Sequence, residues 1–594
     1  MKIHKSMTNM EIVDLLRSVS AAYQISEGNK ARFKIIAYGR AADAVEHLSS
    51  EAKDLWDEGK LESVSGIGPS IASHLDEIFR TGKSKHFKKV MDGIPPATFE
   101  IIKISGIGPK TAQKLTKEFK ISDDKPLGDL RKLAESGKIA ELEGFGRDSA
   151  EAIVVSIDDS ENREIRLLLP YAEQIGKEIV DWMSKSKSVK KIEVLGSLRR
   201  RASTIGDVDF AVASDKPHEA IVHFCNYPKK VRVLEKGDRT ASLILPGNKK
   251  VDMMVESLDA YGALLQHFTG SKHHNIALRK IALKKGYSLS DYGVKSISDK
   301  SGKVKKFATE EELYKFFGMS YIPPELREDK GEIELAQMGK IPNLVETKDI
   351  KSDLQIHSDF DIETSHDLGS SSMTEIAKKA DEVGYEYIAL TEHNPSHSKH
   401  SKKQIVELLR KKKDATNKLN NKLEKYKNLK KVFNSLEIDI LPKGNLPVPE
   451  EALELLDFAL VSIHSSFRLS KSEMTKRVLA GLDNPGVKIF AHPTGRKLNE
   501  REGIELDWEK VFEFCKDRNI WIEINAAPSR LDLPDVLVKD AIAHGILLTL
   551  GTDAHSTDQL ENMVYGVSVA RRGWAEKEHI VNTRDLLQFQ KLLD

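Results

Sequence analysis

The stretch from Gly196 to Asp209 constrains this chain more than any other. The apolar run Ile192 to Leu195 predicts a buried strand. Gly196 and Ser197 then turn the chain and can bring backbone amides close to a phosphate. Arg199 and Arg200 follow, and after a short link Thr204-Ile205-Gly206-Asp207-Val208-Asp209 reads as the next strand. Residues two apart on a strand point to one face, so Asp207 and Asp209 share one. A later strand-like segment, Lys250 to Val255, can add Asp252 beside them. Three converging carboxylates repel one another unless cations sit between them. Magnesium prefers such oxygen ligands together with substrate phosphates. Two ions held in this way activate an attacking oxygen and stabilise a leaving one in phosphoryl transfer.

An isolated Asp-x-Asp is common in turns. The upstream Gly-Ser, the paired arginines and the third aspartate set this one apart. Together they resemble the nucleotidyltransferase palm of the family X DNA polymerases, the DNA polymerase beta group. That resemblance implies that Asp207, Asp209 and Asp252 hold two magnesium ions. Asp252 would be the general base for a primer 3′-hydroxyl, while Ser197 and Arg200, in the turn opened by Gly196, would meet the incoming triphosphate.

Upstream, one unit recurs three times: Ser65-Gly66-Ile67-Gly68-Pro69, Ser105-Gly106-Ile107-Gly108-Pro109 and, more divergent, Glu143-Gly144-Phe145-Gly146-Arg147. Two glycines permit a tight turn between helices, and the amides that open the next helix attract an anion. The unit resembles the helix-hairpin-helix element, which grips DNA phosphates without reading bases. The first ninety or so residues resemble the small amino-terminal domain of the same family, in which Lys34 matches a phosphate-binding lysine. The family's lyase nucleophile, a lysine on the helix after the first hairpin, is replaced here by His74, and a second lysine by Ser70. Schiff-base chemistry needs an amine, so lyase activity is expected to be weak or absent.

Downstream, Tyr261 to Arg279 resembles the family's nucleotide-pocket segment. His267 and Phe268 stand where an aromatic pair packs on the sugar, ahead of the Gly270-Ser271 turn. Asn275 and Arg279 match positions facing the incoming base and the template minor groove. Histidine at 267 implies relaxed discrimination against ribonucleotides.

The last third alternates strand-like and helix-like segments, as in a β/α barrel. Potential metal ligands fall where strands should end: His357, His393, Glu437, His464, His492, Asp553 and His555. Imidazoles and carboxylates together suit zinc or manganese. This third resembles the PHP (polymerase and histidinol phosphatase) domain, whose metals drive phosphoester hydrolysis, including 3′-5′ trimming of DNA. Gln355 replaces an expected histidine, the family's Ser-Asp-Gly is missing, and an Asp-His pair reads Glu392-His393, so a weakened metal position and an impaired hydrolase are expected. Asp359, Asp361 or Asp367 could substitute for the missing aspartate. The basic run from Lys402 to Lys431 reads as a solvated helix face.

The expected fold is multi-domain, α+β and α/β. Helical hairpin domains cover 1–90 and 91–161, a mixed-sheet palm 162–260 and a thumb 261–329. A linker follows at 330–351, then a distorted barrel at 352–594. Net charge is only +1, so any DNA surface must be local. Cys225 and Cys515 are far apart, which argues against disulfides and thiolate zinc and fits a reducing cytoplasm. No long apolar run or export signal is apparent, so no membrane contact is expected. The expected function is a cytoplasmic, monomeric repair polymerase that fills gaps in primer–template DNA with dNTPs. Two other readings stay open, a phosphoesterase that processes DNA ends and a non-catalytic DNA-end-binding protein; the complete aspartate triad opposes both.

Overall fold

The computed structural model describes the chain apart from residues 1–6, 47, 49–51, 58, 65, 105–106, 143–144, 148–149, 152, 155, 158–165, 299–300 and 594. Gly106 and Gly144 therefore lie outside the described residues. The chain divides into two compact units. The first comprises Met1–Leu167, Tyr171–Val194 and Gly206–Ser257, the second Leu168–Pro170, Leu195–Ile205 and Leu258–Asp594.

The first unit begins with helices α1 (Asn9–Ser26) and α2 (Arg32–Glu46). Thr8 and Glu11 form a capping box that satisfies amides at the start of α1. Ile12, Leu16 and Val19 then share an apolar stripe that buries against Tyr38, Ala41 and Val45 of α2. The hairpin before α3 (Pro69–Thr81) depends on Gly66, whose φ is 98°. A Cβ there would also meet the Arg40 carbonyl oxygen at 3.1 Å. Gly68 caps α3 and Pro69 takes its first position, where a missing N–H costs nothing. Gly108 and Pro109 repeat that arrangement at α4 (Pro109–Phe119).

The same unit contains a five-stranded sheet. Its strands are β1 (Lys191–Val194), β2 (Val208–Ala213), β3 (Arg232–Lys236), β4 (Thr240–Leu245) and β5 (Lys249–Glu256), in spatial order β1-β2-β5-β4-β3. β2 and β5 run parallel and the other pairs antiparallel. Val251, Met253 and Val255 point into the core, and the residues between them face the other way. β1 differs from the buried strand expected of its apolar run. It is the sheet's edge, paired on one side only, and its residues alternate between exposed and half-buried.

In the second unit, α5 (Tyr261–Thr269) and α6 (Lys272–Lys284) precede a three-stranded antiparallel meander of β6 (Tyr287–Ser290), β7 (Gly293–Ser296) and β8 (Val304–Lys305). The polar segment 330–351 is folded. It carries a helix, Glu332–Gln337, that buries Ile333 and Ala336. A barrel of seven parallel strands follows, adjacent in chain order: β9 (Ser352–Ile356), β10 (Tyr387–Leu390), β11 (Lys431–Asp439), β12 (Phe458–Ser462), β13 (Val487–Phe490), β14 (Trp521–Asn525) and β15 (Leu548–Gly551). Apolar runs buried on both faces are what parallel strands covered by helices require. The first and last strands meet just past their ends: the Asp553 amide donates to the Gln355 carbonyl at 2.9 Å and the His357 amide to that of Ala554 at 2.8 Å. Gly551 faces the crowded interior, where a Cβ would lie 2.7 Å from that of Gln355.

Only the first part of the basic run forms a helix, α8, after α7 (Met373–Val383); the helix ends at Asn420, a short turn spans Leu423–Lys425, and Lys431 opens β11. α8 (Lys402–Asn420) exposes most of its lysines, as expected of a solvated face, and buries Ile405, Leu408, Leu409, Thr416 and Leu419. Lys412 shares the buried phase and is the exception.

Candidate active sites

In the first unit, Asp209 of β2 lies opposite Asp252 of β5 in the parallel register. Neighbouring strands are ~4.8 Å apart, so the two carboxylates share one small region. Asp207 immediately precedes β2. Lys250, two residues before Asp252 and on the same face, lies 2.6 Å from Asp252 Oδ2 and 4.0 Å from Asp207 Oδ2. Hydrogen bonding to Asp252 raises the pKa of this ammonium. Ser242, directly across on β4, donates to Asp252 Oδ1 at 2.5 Å. A cation thus already sits between two of the three carboxylates, and the oxygen-only donor set fits magnesium.

The helical part places Lys34 Nζ 4.7 Å above the Tyr23 ring and 3.3 Å from Glu27. His74 stacks parallel on His86, ring centroids 4.2 Å apart, and burial lowers its pKa. Gly66, Gly68, Gly108 and Gly146 lie at the turns that precede helices.

In the second unit, Gly196 (φ 57°) opens a one-turn helix, Gly196–Arg199, that carries Ser197. Arg199 donates to the Thr269 hydroxyl at 2.7 Å and pairs with Glu310 at 2.7 Å. Arg200 donates to the Thr269 carbonyl at 2.6 Å and pairs with Glu328 at 3.0 Å. A Cβ on Gly270 would sit 3.3 Å from the Arg200 guanidinium. Ser271 caps α6. His267 and Phe268 are tilted rings 4.7 Å apart. Asn275 donates to the His267 carbonyl at 2.6 Å, and Arg279 to His267 Nδ1 at 3.2 Å. Burial, reinforced by Arg279, lowers the His267 pKa, so the ring is a neutral acceptor.

The barrel gathers its histidines and carboxylates at the carboxyl ends of its strands. Four overlapping groups form: His357–His393–His555, His366–His393–His464, Glu437–His464–His492 and His357–Glu437–Asp553. Within each, the ligand atoms lie within 4.8 Å of one another. Glu437 is the hub, 2.8 Å from His492, 3.3 Å from both His464 and His357, and 3.5 Å from His393. Burial would raise the Glu437 pKa, but His393 and His492 hold it well below the usual carboxylate range. Burial opposes a charge on His357, yet Asp553 and Glu437 push its pKa up to about 10. These carboxylates demand positive charge. Buried imidazole nitrogens of His357, His393, His492 and His555 make no hydrogen bond. Leaving such a group unsatisfied costs about 1–3 kcal/mol, and metal coordination removes that cost. Asp553 and His492 both have positive φ, 54° and 27°, an uncommon backbone state for non-glycine residues at the strand ends that aim them inward.

Two residues of the site escape the sequence reading: His366, a member of the second group, and Asp439, which belongs to none of the four but holds two of their histidines. Asp439 follows Glu437 by two on β11 and binds His464 Nδ1 at 2.7 Å and His366 Nε2 at 2.6 Å. The two-apart rule that picks out Asp207 and Asp209 would have found it. His366 comes from the loop after β9, where no periodicity points to it. Asp361 turns instead to the Glu363 amide at 2.6 Å. Glu392 joins none of the four groups. It accepts from the Ser358 hydroxyl at 2.5 Å and pairs with Lys412 at 2.9 Å. Gln355 is wired into the site as well: its amide donates to Glu437 at 2.8 Å, and its oxygen accepts from Asn525 at 3.2 Å.

Three family descriptions match the chain: a helix-hairpin-helix domain over residues 7–84, a SAM-like helix-hairpin-helix tandem over 99–159, and the DNA polymerase beta thumb over 264–328. Among curated proteins, the DNA polymerase/3′-5′ exonuclease PolX of Bacillus subtilis (strain 168) is 33% identical over 589 residues, 99% of each chain. DNA polymerase lambda of Rattus norvegicus is 24% identical over 54% of this chain and 56% of its own. A probable phosphatase of Clostridium novyi (strain NT) is 27% identical over 37% of this chain and 88% of its own. With its hairpin domains, its thumb and a full-length match to PolX, the chain belongs to the family X DNA polymerases of the PolX type.

Proposed function

We propose that this protein extends a DNA primer across a short gap, using dNTPs. The observation that carries the proposal is the register of Asp209 against Asp252, with Asp207 beside them and one ammonium already between the carboxylates. Asp207, Asp209 and Asp252 would hold two magnesium ions, which supply activation of the attacking hydroxyl and charge neutralisation at the leaving oxygen. Asp252 accepts the proton of the primer 3′-hydroxyl, its carboxylate oriented by Ser242 and Lys250. Ser197, Arg200 and the Gly270-Ser271 turn seat the triphosphate, and Asn275, Arg279, His267 and Phe268 face the base and sugar. Lys34 and the turns at Gly66, Gly68, Gly108 and Gly146 hold the DNA backbone.

The barrel is the PHP domain, a phosphoester hydrolase that trims DNA 3′ ends. Its overlapping imidazole–carboxylate groups support this reading, as do the names of the Bacillus and Clostridium relatives. His357, His393, Glu437, His464, His492, Asp553 and His555, together with His366, would hold manganese or zinc, and Asp439 would orient His464 and His366. These ions supply Lewis acidity and an activated water.

The deciding assay is primer extension on gapped DNA with magnesium. Asp209→Ala removes a metal ligand from a strand whose core contacts are untouched, so extension should fall on the order of a thousandfold. A variant that extends at the original rate would show that the triad is not the catalytic centre.

A further inference from the structure

Helix α9 (Met563–Arg572), which follows the last barrel strand, is built to face two ways. Gly566, Val567, Val569 and Ala570 are buried. A Cβ on Gly566 would lie 2.8 Å from that of Ala526. Tyr565, Ser568 and Arg572 fall at i, i+3 and i+7, a single different face. That face receives the turn after Gly196. Arg201 Nε donates to Ser568 Oγ at 2.9 Å, and its guanidinium lies 5.9 Å from the Tyr565 ring centroid. Arg572 Nη1 donates to the Arg200 carbonyl oxygen at 2.8 Å and to Glu328 Oε1 at 3.0 Å, the same oxygen that accepts from Arg200 Nε. Arg572 Nη2 pairs with Asp535 at 2.9 Å, and Lys330 lies 3.6 Å from that carboxylate.

We propose that Arg572, a residue of the barrel, is a positioning residue for the nucleotide turn of the polymerase. The proposal rests on reading Arg200 as a ligand of the triphosphate. Arg200 and Arg572 share Glu328, while Arg572 and Lys330 share Asp535. With Arg572 present, Glu328 is shared, and Arg200 can exchange its carboxylate contact for a phosphate. Without Arg572, Glu328 closes on Arg200 alone. The Arg200 carbonyl also loses the donor that fixes the turn. The side chains of Arg200, Glu328 and Arg572 are only 15%, 19% and 10% exposed, so salt and water screen these contacts weakly. The barrel thereby forms part of the polymerase's nucleotide site, whatever its own chemistry.

The test uses the full-length protein on DNA with a one-nucleotide gap, with initial rates measured against dNTP concentration. Arg572→Ala should raise the KM for dNTP roughly tenfold and change kcat by less than about threefold. Hydrolysis of bis(p-nitrophenyl) phosphate in manganese, which reads the barrel, should stay within about twofold of wild type. Arg572→Lys keeps the charge but not the two-pronged geometry and should fall between the two. Combining Arg572→Ala with Glu328→Gln removes the unshared carboxylate and should recover most of the lost affinity, a rescue that simple damage to the barrel would not give. An unchanged KM in Arg572→Ala, or a double variant no better than the single, overturns the proposal. Arg200→Ala separates the two readings. If it raises KM and Arg572→Ala does not, the positioning role is wrong and the triphosphate role stands. If Arg200→Ala leaves KM unchanged, the triphosphate role is wrong and the positioning role falls with it.

Discussion

Lys250 lies 2.6 Å from Asp252 with 37% of its side chain exposed, whereas Lys412 lies 2.9 Å from Glu392 with none exposed. Both are ammonium–carboxylate pairs beside a candidate metal centre, but their surroundings differ. The first stands on a sheet face partly open to water, beside Asp207 and Asp252. The second is locked beneath the barrel's ligands, and Lys412 also donates to the Leu390 and Ser435 carbonyls and to the Asn434 side chain. The candidate polymerase centre is thus the more open of the two. The barrel centre is preassembled, its buried ligands held by second-sphere contacts from Asp439 to His464, Gln355 to Glu437 and Asn525 to Asp553.

The sharpest way to break this contrast is Lys412→Met. It strands the Glu392 charge in the interior and should cost about 3–5 kcal/mol of barrel stability by denaturant unfolding. Adding Glu392→Gln should return part of that loss. A cost below about 1 kcal/mol would mean the pair behaves like a surface bridge. Metal loading comes next. At a hundred times its dissociation constant, manganese should stabilise the barrel by about 3 kcal/mol, and chelation should remove that gain. Calorimetry with and without chelator reads the shift; an identical melting profile in both would contradict a preassembled metal site. The smallest effect belongs to Lys250→Met, which should change stability by less than about 1 kcal/mol because water and salt screen the pair. A loss of several kcal/mol there would erase the distinction between the two lysines.

Much of this architecture is legible in the sequence, because two simple periodicities carry it. Alternation along β5 separates core residues from the face that carries Asp252, and in β2 Asp209 is the one residue that is not buried. An apolar run followed within a few residues by histidine marks β9, β10, β12, β13 and β15, though not β11 or β14. What escaped did so for identifiable reasons. β1 is apolar enough to read as buried, and its place at the sheet edge is a property of pairing that the run itself does not contain. Asp439 and Lys250 obey the two-apart rule but stand beside residues that had already claimed attention. Lys412 lies in phase with Ile405, Leu408 and Leu419, yet a lysine within a lysine-rich run draws no notice unless the phase is followed through. His366 and the contact of Arg201 with Ser568 depend on loop path and tertiary packing across long separations, which no local pattern encodes.

Two phosphoryl-transfer centres on one chain, one open and one preassembled, should give two separable activities. The most direct test measures both activities on the same gapped DNA, for Asp252→Ala and for His464→Ala combined with His492→Ala. Asp252→Ala should lose extension on the order of a thousandfold and keep manganese-dependent 3′ trimming. The double histidine variant should do the reverse, since the aspartates and the histidines belong to different sheets. If either variant loses both activities together, or if neither the wild type nor Gln355→His trims a 3′ end in manganese, the chain does not hold two independent centres.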